Sequence, residues 1–188
     1  FRIEHDLEQA EYLIARGEKI DGLAEAQSVL AKLHARQTNV ASGAVIELSD
    51  AEAHAIARFY EHVLRYSAPA LKGPALNPDN DWAGIERRYF DNPLELVVID
   101  NLLSPAALRE LRTFCLVSTI WRQDFANQYF GAFTAGGFVS PLHLQIAVEL
   151  QQKMPRIFGG QRLEELWSFK YGANLGRGIN MQIGRAHV

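Results

Sequence analysis

Apolar residues recur at helical spacing through the first third of the chain, and then the pattern changes to short alternating or clustered runs. Ile3, Leu7, Ala10 and Ile14 lie four, three and four residues apart, and Gly17 follows where a helix would end. Leu23, Ala26, Leu30 and Leu33 repeat the pattern. Two amphipathic helices with a short Gly-containing connection are predicted, and such a hairpin needs a third element over its apolar face. Ser49-Asp-Ala-Glu52 signals that element as a capping box, in which hydroxyl and carboxylate accept from backbone N–H groups at the helix start. Ala53, Ile56, Tyr60 and Val63 then supply an apolar stripe, and the helix is expected to run to about Tyr66.

Three prolines and a glycine in residues 67–81 deny that stretch regular structure, so it reads as a linker or a strap across the surface. Trp82 to Tyr89 is predicted as a short helix capped by Asp81, with Trp82, Ile85 and Tyr89 inward, ended by Pro93. Leu94-Glu-Leu-Val-Val-Ile-Asp100 reads as a largely buried strand. Ser104-Pro105 opens a helix whose inner face carries Leu108, Leu111 and Cys115. From Trp121 to Phe138, Phe125, Tyr129, Phe130 and Phe133 interleave with Gly131, Gly136 and Gly137, which suits strands and turns. Ser140-Pro141 opens a second capped helix, expected to be buried and to stop at Pro155, although Leu142 to Leu150 also alternates like a strand. Leu166-Trp-Ser-Phe-Lys-Tyr171 alternates as a strand leading into a Gly-rich run.

Composition narrows the classes. With 188 residues, 48% hydrophobic and 22% charged, the chain suits one globular domain, or one domain and a fragment of another. A net charge of -3 and the lack of a Lys/Arg run argue against nucleic acid as a partner. No apolar stretch is long enough to span a bilayer, so no membrane partner is expected. The single cysteine, Cys115, makes no internal disulfide, and a cytoplasmic location fits. Phe1-Arg-Ile-Glu-His-Asp6 reads neither as a signal peptide nor as a start, so the chain is expected to begin within its gene.

Leu96-Val-Val-Ile-Asp-Asn-Leu-Leu-Ser-Pro-Ala-Ala-Leu-Arg-Glu-Leu111 resembles the opening strand and helix of prolyl 4-hydroxylase-like, Fe(II)- and 2-oxoglutarate-dependent oxygenases. Phe169-Lys-Tyr171 and the following Gly-containing run resemble the strand that delivers a His-x-Asp iron motif in that family. The resemblance covers about Leu94 to Met181, and the helical start resembles the tetratricopeptide-type leaders of bacterial members. It implies an α+β chain: a helical leader over 1–66, a linker and short helix over 67–93, and the first part of an oxygenase domain, an incomplete double-stranded β-helix or jelly roll, over 94–182.

Such enzymes hold Fe(II) with two His and one carboxylate, leaving open positions for 2-oxoglutarate and oxygen. By resemblance the parent protein uses Fe(II) and 2-oxoglutarate, with ascorbate a candidate reductant. The first His would fall at Gln182 and the Asp at Gly184, yet no His-x-Asp or His-x-Glu occurs in the chain. Residues 183–188, Ile-Gly-Arg-Ala-His-Val, resemble one reading frame of a sequencing adapter and are expected to be a non-native tail, which sets His187 aside. The chain itself is then expected to be inactive, lacking the metal ligands. A poorly anchored C-terminus is expected beyond about Gly172. Tyr171 matches the tyrosine that lies against 2-oxoglutarate in prolyl-hydroxylase relatives, where a phenol can donate to a carboxylate; an aromatic on a sheet face reaching solvent is the equal alternative.

Other candidates read as structural. Lys170 belongs to the opposite strand face and is expected to be solvated. His143 suits a packed or capping residue, and Cys115 an inert core thiol. His54 and His62, two helical turns apart, are too distant to share a metal. His5 and Asp6 are adjacent and expected to face different directions, and Asp100-Asn101 suits a strand-ending turn. The aromatic and Gly segment is either sheet core or the lining of a substrate groove. The substrate class, protein or small molecule, stays open, and the helical leader is a candidate protein-binding element. The competing reading is a helical protein-interaction module fused to a degenerate, non-catalytic β-domain, with Gln182 native.

Overall fold

Four side chains start four of the helices by accepting a hydrogen bond from an otherwise unpaired amide. Ser49 Oγ accepts from Glu52 N at 3.3 Å, Asp81 Oδ1 from Gly84 N at 2.9 Å, Ser104 Oγ from Ala107 N at 3.3 Å and Ser140 Oγ from His143 N at 3.4 Å. The Ser49 box closes in both directions, because Glu52 Oε2 accepts from Ser49 N at 2.9 Å. A computed structural model describes residues 2–37, 45–60, 64, 66–125 and 129–171. The architecture is α+β: seven helices and a three-stranded antiparallel sheet among the described residues.

Helices α1 (Arg2–Ala15) and α2 (Leu23–Gln37) form the hairpin, and Gly17 and Gly22 both take φ of 80° in its connection, a conformation that favours glycine. Helix α3 (Asp50–Tyr60) covers it, and Leu13, Leu23, Leu30, Leu33 and Ile56 fill the core between them. All four apolar positions of α2 are buried, but α1 is rotated from its expected stripe: Leu13 is buried and Ile14 is 43% exposed. The cause is that α1 also packs on α5, so its inner line must serve two neighbours. Ala53 is exposed, contrary to the expected stripe, and Val63 lies outside the described residues. Leu64 and Tyr66 are not helical, so α3 does not reach Tyr66. Their amides donate elsewhere, Leu64 N to Thr119 Oγ1 at 2.7 Å and Tyr66 N to Ser118 Oγ at 3.0 Å.

Residues 67–81 form the strap. Glu149 fastens it by accepting from Ala75 N at 2.9 Å and from Leu76 N at 2.8 Å. Burial opposes ionisation of Glu149, and the hydrogen bonds from the Ala75 and Leu76 amides and Gln145 outweigh it, holding the carboxyl below its ordinary range. Helix α4 (Trp82–Asp91) follows, with Trp82 and Ile85 buried beside Leu76 and Met154.

The stretch Leu94–Asp100 is not the buried strand its composition suggests. It pairs with no strand among the described residues, and Leu94, Leu96 and Val98 are 81%, 54% and 77% exposed. A turn built on Asn92, with Glu95 N donating to Asn92 O at 2.8 Å and Glu95 at φ 48°, turns the chain so that only Val97 and Ile99 reach the α4 core. Helix α5 (Pro105–Val117) begins at the expected cap, but its inner line is Ala107, Phe114 and Val117. Leu108 is 58% exposed, while Leu111 and Cys115 pack at the margin of the core.

Strands β1 (Gln123–Phe125) and β2 (Tyr129–Phe133) follow, then a 3-10 turn at Thr134–Gly136. Helix α6 (Pro141–Lys153) is helical despite its alternating sequence, and it buries one side only, since Leu144 and Val148 are 50% and 49% exposed. The short helix α7 (Pro155–Phe158) and strand β3 (Trp167–Tyr171) complete the described chain, with strand order β1-β2-β3. The C-terminus expected to be poorly anchored beyond about Gly172, with Gln182, Gly184 and His187, lies outside the described residues. Among those residues no helix is long and apolar enough to cross a membrane.

Candidate functional site: the two faces of the sheet

Register assigns each side chain to a face. Tyr129 pairs with Tyr171 and with Phe125, Gly131 with Phe169 and with Gln123, and Phe133 with Trp167, so these residues share one face. Phe130 and Ala132, paired with Lys170 and Ser168, belong to the other.

The first face is an aromatic platform. Phe125 stacks on Tyr129 with ring centroids 4.6 Å apart, and Tyr129 stacks on Tyr171 at 5.2 Å. Phe169 meets Phe125, Tyr129 and Phe133 edge-on at 5.7, 5.4 and 6.1 Å, an arrangement that the ring quadrupoles favour. Gly131 lies among these rings, and a Cβ there would stand 2.6 Å from the Phe133 ring and 2.9 Å from that of Phe125. Trp167 and Tyr171 are 49% and 41% exposed, so the platform is open to solvent at both ends of β3. Tyr171 therefore stands on a sheet face beside other aromatic rings, at the end of the described chain.

The second face lies under α1. Phe130 is 1% exposed; the His5 ring lies tilted against its ring with centroids 4.3 Å apart, and the Arg2 guanidinium lies 5.2 Å from the ring centre. Arg2 also pairs with Asp6 at 3.0 Å and Asp124 at 2.7 Å and donates to the Trp121 carbonyl at 3.1 Å, so one side chain ties α1 to the sheet. His5 and Asp6 do not face apart as expected: His5 Nδ1 and Asp6 Oδ1 are 3.0 Å from one another, because the backbone at this edge brings both toward the same interface. Burial lowers the His5 pKa, with the Lys170 charge adding to the effect and the Asp6 hydrogen bond opposing it. The other ring nitrogen, Nε2, is buried without a hydrogen-bond partner among the described residues.

Lys170 does take the face opposite Tyr171, but it is half-buried under α1 instead of solvated. Burial lowers its pKa, and the nearby charges of Glu8 and Asp6 counter this. The alternation of Leu166 to Tyr171 contained the face assignment; nothing local could indicate that the helix would cover the lysine side and leave the aromatics open.

The structural readings of the other candidates are consistent with their surroundings. His143 shares a 2.7 Å hydrogen bond with Ser140 Oγ and packs edge-on to Phe114 and Phe138, and burial lowers its pKa. Cys115 is half-buried and burial raises its thiol pKa, the opposite of what a reactive thiolate needs. His54 is exposed, and His62, expected to lie too far from it to share a metal, is outside the described residues. Among the described residues no group of three His, Cys, Asp or Glu side chains could hold a metal ion. No protein-family model matches the sequence, and neither a curated protein nor a solved structure matches it.

Proposed function

We propose that this chain carries the helical leader and the first part of a prolyl 4-hydroxylase-like, Fe(II)- and 2-oxoglutarate-dependent oxygenase domain. The observation that carries the reading is the placement of Tyr171 at the end of β3, on the open aromatic face and stacked on Tyr129. A phenol there is free to meet a small dicarboxylate held over the sheet, and a jelly roll closing over that face would turn the platform into the wall of a pocket. The Ser104-Pro105 helix and the antiparallel aromatic strands after it are in keeping with this reading, while Leu94–Asp100, its opening strand, pairs with no strand among the described residues.

The described residues do not fit an iron site, so no chemical step is assigned to them. In this reading the first ligands belong at positions 182 and 184, where the chain has Gln and Gly, and a chain with those residues is expected not to turn over 2-oxoglutarate. The test is to sequence the gene across codons 182 and 184 and to assay its full product for Fe(II)-dependent 2-oxoglutarate consumption. His and Asp at those codons, with consumption lost in Tyr171→Phe or sharply raised in 2-oxoglutarate KM, support the proposal. Gln182 followed by a non-acidic residue at 184 sinks it and favours the alternative that the sequence as it stands supports, a helical interaction module joined to a non-catalytic β-domain.

A further inference from the structure

At the β3 edge of the sheet, a cleft of about 440 Å³ opens between α1, the end of α5 and β3. Its volume lies within the range of small-molecule sites, about 300–1,000 Å³. One wall is α1, contributing Glu8 and Tyr12; the opposite side carries Leu116 and Trp121, and β3 contributes Lys170 and Phe169. The walls are held rigidly. Gln9 Nε2 donates to the Ser118 carbonyl at 2.9 Å, locking α1 against the end of α5, and Trp121 Nε1 donates to the Cys115 carbonyl at 2.9 Å, fixing the indole.

The charges in this cleft select a ligand. Lys170 is half-buried and makes no direct ion pair among the described residues, although Glu8 is close enough to favour its protonated form. One cation and one anion are thus the charged groups of a mainly apolar and aromatic lining. A simple carboxylate would meet Glu8 as well as Lys170, and a simple amine would meet Lys170 as well as Glu8. A zwitterion satisfies both. We propose that this cleft binds a free α-amino acid with an apolar or aromatic side chain: its carboxylate on Lys170, its ammonium on Glu8, and its side chain against Trp121 and Leu116. Tyr171 is not part of its lining, so the site stands or falls independently of the oxygenase reading.

The test titrates the full 188-residue chain with L-phenylalanine, 3-phenylpropionate and phenethylamine, following the Trp121 indole N–H resonance and the heat of binding. Saturable one-to-one binding of phenylalanine is expected, with both analogues at least about tenfold weaker, because each leaves one charge of the site unpaired. Lys170→Gln should weaken phenylalanine by about ten- to a hundredfold, the loss expected for a hydrogen bond to a charged partner. Glu8 is exposed on α1, so Glu8→Gln leaves the fold intact and should erase the preference for phenylalanine over 3-phenylpropionate. If Lys170→Gln fails to fold, Glu8→Gln alone decides. Absence of saturable binding, equal binding of the three probes, or a preference unchanged in Glu8→Gln overturns the proposal.

Discussion

The two faces of the three-stranded sheet differ in residues and in fate, and the face richer in aromatics is the more open one. On one, Phe130 and Ala132 are each 1% exposed in the core they share with α5 and α6, and Arg2 and His5 of α1 lie against the Phe130 ring. On the other, six aromatic side chains pack mainly on one another, and Trp167 and Tyr171 remain largely open to solvent. Apolar composition is therefore a poor guide to which side of this sheet holds the fold together. Coverage by a helix is what converts aromatic area into stability, whereas an open platform of rings is held by ring–ring contacts alone.

The sharpest way to break this contrast is Phe130→Ala. It removes a fully buried ring with its cation–π and histidine contacts and should cost about 3–5 kcal/mol in urea unfolding. A cost similar to that of an open-face aromatic would undo the distinction. Gly131→Ala comes next. The added methyl group would press on the rings of Phe133 and Phe125, an overpacking worth about 1–3 kcal/mol. Pairing it with Phe133→Leu should recover part of that loss, and if it does not, the clash lies elsewhere.

Acid should act on the covered face. The His5 pKa is depressed in the folded chain, mainly by burial, so the folded state binds fewer protons than the unfolded one. The stability this contributes is fully present above the unfolded value of about 6.5 and is lost as pH falls through the folded pKa. Urea midpoints should accordingly be level from about pH 8 to 7 and decline below about 6.5, with a flatter decline in His5→Gln. An unchanged slope in the variant would show that His5 does not carry the effect. The smallest expected change is Trp167→Ala: on the open face, with the ring 49% exposed, it should cost no more than about 1 kcal/mol by the same measurement.

Much of the local structure was legible in the residues. The caps at Ser49, Asp81, Ser104 and Ser140, the full stripe of α2 and the helical state of α6 follow from short-range rules, because a cap or a turn of helix is satisfied by neighbours within four residues. The failures share a cause. Leu94–Asp100 has strand composition, yet its exposed Leu94, Leu96 and Val98 find no paired neighbour among the described residues, and pairing is not a property of one segment. The inner line of α5 is displaced from Leu108 to Ala107 and Phe114 because its partners, the strap and the sheet, approach from a direction that a single helix does not encode.

The candidate sites divide in the same way. Alternation in Trp167-Ser-Phe-Lys-Tyr171 determines by itself that Lys170 and Tyr171 take opposite faces, since successive side chains in any strand must do so. Which face is covered was decided by tertiary structure. Arg2 bonds at once to Asp6, Asp124 and the Trp121 carbonyl, more than a hundred residues away in the chain for the last two, and so brings α1 over Phe130 and Lys170. That docking leaves Tyr171 on an open aromatic platform and encloses Lys170 beside Glu8, because a helix can cover only one side of a sheet at a time.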